Sequence, residues 1–192
     1  MEGTAHRPVP RLTAEDKRKL LQLARDTLVQ YLGEGRLPEF VTDSATLLEP
    51  CATFVTLRRR GSGELRGCRG ECQARQPLVE AVMNMAIAAA TDDSRFPPVT
   101  LDEVPDLEIE ISALTPLRPI RAEEVEVGRH GVMIIKGFSS GLLLPEVPVR
   151  YGWDHGEFLG WVCRKAGLPE DAWQAEDSQL LGFEAEVWGE ET

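Results

Sequence analysis

Residues 51–65, Cys-Ala-Thr-Phe-Val-Thr-Leu-Arg-Arg-Arg-Gly-Ser-Gly-Glu-Leu, decide the fold class. Residues 51–59 carry the β-branched and apolar side chains of a strand, Gly61-Ser62-Gly63 is a turn, and a second strand begins at Glu64-Leu65. So short a connection joins antiparallel neighbours, which makes the pair a β-hairpin. Downstream, Leu107-Glu-Ile-Glu-Ile-Ser-Ala-Leu114 alternates apolar and acidic residues, the period of a strand with one wet face. Val125 to Lys136 predicts one or two further strands around Gly128 and Gly131. Gly141-Leu-Leu-Leu-Pro145 is a short apolar run ended by proline, and Phe183-Glu-Ala-Glu-Val-Trp188 is the last strand.

Helices separate these strand clusters. Thr13 caps the first, with Glu15 and Asp16 at the positive end of its dipole, apolar residues recurring from Leu20 to Leu32, and Gly33 as its stop. The second begins at Pro77 and runs to about Thr91; being apolar on most sides, it is a buried helix. The third opens on a capping box, Asp154 with Glu157, and lines one face with Phe158, Leu159, Val162, Cys163 and Ala166. Strands clustered between helices, without regular βα alternation, predict an α+β fold with a mostly antiparallel sheet flanked by helices. Residues 13–192 are read as one domain, and residues 1–12, polar and holding Pro8 and Pro10, as a flexible N-terminal segment.

Charge narrows the function classes. Across 192 residues, 21 Lys+Arg against 32 Asp+Glu give a net charge of −11, which repels nucleic acid at long range. No run approaches the roughly 20 apolar residues of a membrane span, and the opening residues lack the apolar core of a secretory signal. The expectation is a soluble, cytoplasmic protein that binds neither membrane nor nucleic acid. In a reducing cytosol its four cysteines are free thiols, with Cys51 and Cys163 in the core.

The most informative segment is Leu65-Arg66-Gly67-Cys68-Arg69-Gly70, read as a glycine-bearing turn. Gly67 and Gly70 permit close approach of a ligand to the backbone, and successive amides in such a turn can cradle an anion. Nearby arginines favour the thiolate of Cys68. Residues 58–75 hold six arginines against two glutamates, a local charge of +4 in an acidic chain. Arg58, Arg59 and Arg60 read as a solvated hairpin tip; Arg66, beside the glycines, offers the bidentate fork that suits a carboxylate or phosphate. His130, between Arg129 and Gly131, is either a base for Cys68 or a surface turn residue. Asp92 and Asp93 read as caps at a helix end. Cys68, Cys72, Cys163, His130 and His155 lack the spacing of a zinc ribbon or iron–sulfur site, so neither metal nor cofactor is expected.

These residues resemble a known family. Leu65–Gly70 is similar to the LRGCIG signature of the AMMECR family, also called AmmeMemoRadiSam system protein A, with Arg69 in place of the usual isoleucine. The resemblance continues in order through Pro77-Leu-Val-Glu-Ala-Val, Asp93-Ser-Arg-Phe-Pro-Pro-Val-Thr-Leu, Leu107 to Pro116, Gly128-Arg-His-Gly, Ser140 to Val147 and Cys163-Arg-Lys-Ala-Gly-Leu-Pro. It implies an α+β fold in two lobes, an activity not established, and the company of a Memo-like protein and a radical-SAM enzyme. Two readings of function follow. In one, the chain is an accessory component of such a modification system, binding an anionic ligand or partner through Arg66, Gly67, Gly70 and Arg95. In the other it is an enzyme with Cys68 as thiolate nucleophile and His130 as base. Substrate and oligomeric state are not legible in the sequence.

Overall fold

A computed structural model describes residues 12–190. The flexible segment expected over residues 1–12 lies outside the described residues except for Leu12, which is buried in the core. The chain divides into two compact units, Met1–Leu114 with Glu186–Thr192, and Thr115–Ala185. The fold is α+β, with two four-stranded sheets.

The first unit contains α1 (Ala14–Glu34), α2 (Ala45–Leu48), β1 (Ala52–Arg59), β2 (Leu65–Gly70), α3 (Leu78–Thr91) and β3 (Leu107–Leu114). The second contains β4 (Arg118–Pro119), β5 (Gly131–Lys136), β6 (Ser139–Leu143), α4 (Glu146–Tyr151), α5 (His155–Lys165) and β7 (Gln179–Phe183). The last strand, β8 (Ala185–Gly189), returns to the first sheet, whose order is β2-β1-β3-β8; the second sheet runs β4-β7-β5-β6.

Alternation along β1 and β3 sets the first core. Val55 stands opposite Ile111 and Leu57 opposite Ile109, all fully buried or nearly so, and they join Leu20, Leu28, Leu78 and Val82 of α1 and α3 in one apolar cluster. In the second unit Val132 and Ile134 of β5 pack with Phe158, Leu159, Val162 and Cys163 of α5. Cys51 and Cys163 are buried, as their apolar settings predict.

Local chemistry sets the ends of the helices. The Thr13 hydroxyl accepts from the Asp16 amide at 3.0 Å, and the Asp16 carboxylate accepts from the Thr13 amide at 3.0 Å, a reciprocal capping box. The helix stops at Gly35, in the left-handed region at φ 68°, two residues beyond the expected Gly33. Further differences arise from tertiary pairing. Pro77 caps α3 from outside instead of opening its first turn. Between Val125 and Lys136 there is one strand, β5, preceded by a turn. The expected strand over residues 183–188 is the end of β7 and most of β8, parted at Glu184, whose amide is bound by the Thr115 hydroxyl at 2.7 Å.

Replacing Thr13 by Ala removes the cap of a 21-residue helix that supplies much of the first core. Urea unfolding should register a loss of about 1 kcal/mol without a change in the m-value.

Candidate functional site

The segment read as a turn is strand β2 itself, and neither Gly67 nor Gly70 has a positive φ. β2 is an edge strand paired with β1: Arg58 faces Leu65, then the register shifts, and Leu57 faces Gly67. Arg66 is therefore the extra residue of a β-bulge, which re-aims its side chain out of the ladder. Beyond the bulge Thr56 faces Cys68 and Phe54 faces Gly70.

The glycines answer to contact, not to turn geometry. A Cβ on Gly67 would stand 2.1 Å from the backbone oxygen of Ala89 in α3. A Cβ on Gly70 would stand 2.1 Å from the Phe54 ring. The anion cradle expected from successive amides is thus replaced by an extended strand pressed against a helix.

Arg66 is buried, 4% exposed, and its fork is engaged within the protein. Nε and Nη2 each donate to the Glu103 carboxylate at 2.9 Å, Nη1 donates to the Pro97 carbonyl at 2.9 Å, and Nη2 reaches the Pro98 carbonyl at 3.3 Å. A ligand taking this fork, as the sequence suggests, must displace those acceptors. The Arg66 guanidinium beside it holds the Glu103 carboxyl down at about 2. Arg59, half exposed, adds a longer contact to Glu103 at 3.5 Å. Between Leu65-Arg66 and the segment Phe96–Glu103 lies an open groove of about 670 Å³.

Cys68 is half-buried on the face of the sheet opposite the α1 and α3 core. Its Sγ accepts from the Thr56 hydroxyl at 3.2 Å, and Thr56 in turn stands opposite Glu110 of β3. The Cys68 amide donates to the Asp93 carboxylate at 2.9 Å. Arg95 completes the corner, gripping Asp93 through Nε at 2.9 Å and Nη2 at 2.6 Å while its guanidinium lies over the Phe96 ring at 5.5 Å. Asp93 is buried, and the Arg95 fork holds its carboxyl well below the usual carboxylate range. Arg95 itself is 55% exposed.

The thiol departs from expectation in the opposite direction. Burial pushes the Cys68 thiol up, and the opposing pulls of the Thr56 hydroxyl and Arg95 charge do not reverse it. His130 belongs to the second unit, where its Nδ1 accepts from the Glu126 amide at 3.0 Å in its own turn. His155 sets Nε2 2.8 Å from the Ala122 carbonyl. Among the described residues, no group of three His, Cys, Asp or Glu is arranged to hold a metal.

Sequence reading missed Thr56, Asp93 as the clamp on the motif amide, and Glu103. The one local signal was Asp93 two residues before Arg95, the spacing at which its Oδ1 accepts from the Arg95 amide at 3.2 Å.

Gly67→Ala meets backbone and Gly70→Ala meets a ring that can turn aside, so the first should destabilise by about 2–3 kcal/mol and the second by less in chemical denaturation. The Glu103 contribution is complete above its ordinary value of 4.5 and is lost as pH falls through about 2. Unfolding measured from pH 6 to pH 2 should lose on the order of 2 kcal/mol from this group, and Glu103→Gln should remove that acid-labile part.

The AMMECR1 family profile matches residues 21–188. A protein of Methanopyrus kandleri is 44% identical over 189 residues, covering 94% of this chain and 91% of its own. One of Thermococcus gammatolerans is 45% identical over 182 residues, covering 90% and 89%. The crystal structure of an uncharacterised protein of Pyrococcus horikoshii superposes with a TM-score of 0.85 at 45% identity, covering 90% of each chain. No helix among the described residues is long and apolar enough to cross a membrane. With profile, relatives and solved structure agreeing over nearly the same residues, the chain belongs to the AMMECR1 family.

Proposed function

We propose that the protein is an accessory, binding component of an AmmeMemoRadiSam-type modification system. In this reading it presents the β2 edge and the adjoining groove to an anionic ligand or to a Memo-like or radical-SAM partner. The observation that carries the reading is the state of the motif. Burial keeps the Cys68 thiol protonated, and its amide and the neighbouring arginines are engaged in holding an edge strand in place. A thiolate nucleophile needs the reverse: a lowered thiol and a base in reach. A rigid edge with half-exposed Arg59 and Arg95 on its rim suits recognition of a carboxylate or phosphate. Cys68 then serves as a small, polarisable wall residue packed on Thr56.

Two measurements separate this from the enzyme reading. Purified chain mixed with the Memo-like protein and the radical-SAM enzyme should co-elute with one of them. Arg59→Glu and Arg95→Ala should weaken the complex, and Cys68→Ser should leave it intact. Thiol labelling against pH should show Cys68 reacting more slowly than free cysteine at neutral pH. Faster labelling, with no complex on mixing, would establish the nucleophile instead.

A further inference from the structure

Among the described residues the two sheets leave four edge strands, and three of them are blunted against further pairing. On β2 the bulge at Arg66 breaks the edge, and the Asp93 carboxylate accepts from the Cys68 amide. β4 is two residues long, and one of them is Pro119. β8 carries Glu186 and is followed by Glu190. β6 has none of these devices. It reads Ser139-Ser-Gly-Leu-Leu143, pairs with β5 in unbroken register, and lies in a stretch, residues 137–145, without a charged side chain.

Register fixes where its free hydrogen-bonding groups point. The Ile120 amide donates to the Leu180 carbonyl at 3.1 Å, so Leu180 faces β4, and its neighbours Gln179 and Leu181 face β5. Their partners on β5, Ile135 and Met133, therefore exchange bonds with β7 and turn away from β6. The residues opposite these on β6, Ser140 and Leu142, aim N–H and C=O outward. The two-residue turn Gly137-Phe138 agrees, because the pair that closes it, Lys136 and Ser139, is hydrogen-bonded. Among the described residues no group meets the outward atoms of Ser140 and Leu142. Ser140 is exposed, and Phe138 at the hairpin tip is entirely so.

This edge is complementary to itself. Two copies set antiparallel about a two-fold axis at Gly141 place Ser140 of each against Leu142 of the other. Each such pair exchanges both its main-chain hydrogen bonds, so every outward group is met. The side chains agree. Leu181, Met133 and Leu142 form one apolar row across β7, β5 and β6, while α5 covers the other face, that of Val132, Ile134 and Gly141. Across the axis the two Leu142 side chains stand at diagonal positions within reach of each other, so the row runs from one copy into the next. Phe138 comes opposite the second copy's Leu144, which gives a fully exposed ring an apolar neighbour.

We propose that β6 is the seam of a symmetric dimer of this chain, in which two second sheets join edge to edge. So short a strand makes an interface below the standard size, and the dimer is accordingly weak. β6 belongs to the second unit and the motif to the first, so failure of the dimer leaves the reading of the β2 edge untouched.

Sedimentation equilibrium of the full chain, from micromolar to millimolar concentration, should follow a monomer–dimer equilibrium. It should tighten as salt rises, since association works against like net charges. Amide hydrogen exchange at Ser140 and Leu142 should slow as the dimer fills and stay fast in dilute samples. Ser140→Pro removes an outward N–H without touching the β5 ladder and should hold the chain monomeric. Leu142→Lys sets like charges on the diagonal and should do the same. Phe138→Ser should raise the dissociation constant roughly tenfold. Circular dichroism of dilute samples verifies that the variants fold, and the exchange measurement on the unaltered chain needs no variant. A chain monomeric at millimolar concentration would overturn the proposal. So would a dimer that survives both Ser140→Pro and Leu142→Lys, or one whose Ser140 and Leu142 amides exchange as fast as the monomer's. Protection of those amides only in complex with the Memo-like protein or the radical-SAM enzyme would also overturn it, assigning the edge to a strand of that protein.

Discussion

Strand β2 depends on the ion pair between buried Arg66 and partly exposed Glu103. Because Arg66 is the bulged residue, its side chain leaves the ladder and ties the edge strand to the segment following α3. The bulge also decides which way the motif faces. Carried from Arg58 opposite Leu65 without an extra residue, the register would set Val55 against Cys68, turning the thiol into the apolar core. With the extra residue, Gly67 meets the α3 backbone, where only a residue lacking Cβ fits, and Cys68 meets Thr56 on the opposite face. One desolvated guanidinium thus fixes an edge, a register and the direction of a thiol. Such a charge is tolerated because carboxylate and carbonyls together satisfy it.

Elements written in local pattern were legible. The β1–β2 hairpin, the alternation of β3, the Thr13 cap of α1 and the capping box of α5 all rest on neighbours within a few residues, and the structure has them where the sequence places them. Elements decided by distant partners were not. α4 contains Pro148, a residue that argues against helix, and α2 is a single turn. The break between β7 and β8 falls at Glu184, with no glycine or proline to mark it; the Thr115 hydroxyl, 69 residues away in sequence, sets it.

The candidate site divides the same way. Cys68, Gly67 and Gly70 stand out as residue types, but reading them as a turn mistakes steric demand for conformational demand. Arg66 looks like a free cation in sequence because its carboxylate partner lies 37 residues further on. The thiol follows from the same blindness: nearby arginines are visible in the sequence, whereas the burial that outweighs them is not. The arginine excess of residues 58–75 is thereby partly framework, with Arg59 and Arg66 on Glu103 and Arg60 on the Leu107 carbonyl.

The order of strands β2-β1-β3-β8 has a consequence for biogenesis. β3 ends at Leu114, yet its neighbour β8 begins only at Ala185, after the whole second unit. The closing contacts are specific: the Glu190 carboxylate accepts from the Ile109 amide at 3.1 Å and from Arg25 Nε at 2.7 Å. On the ribosome, then, β3 waits as an open edge while some seventy further residues are made, a period in which it is exposed to pairing with other nascent chains. Acidic Glu108 and Glu110 along that strand place like charges on any copy that would pair with it, guarding the vacancy until its own last strand emerges.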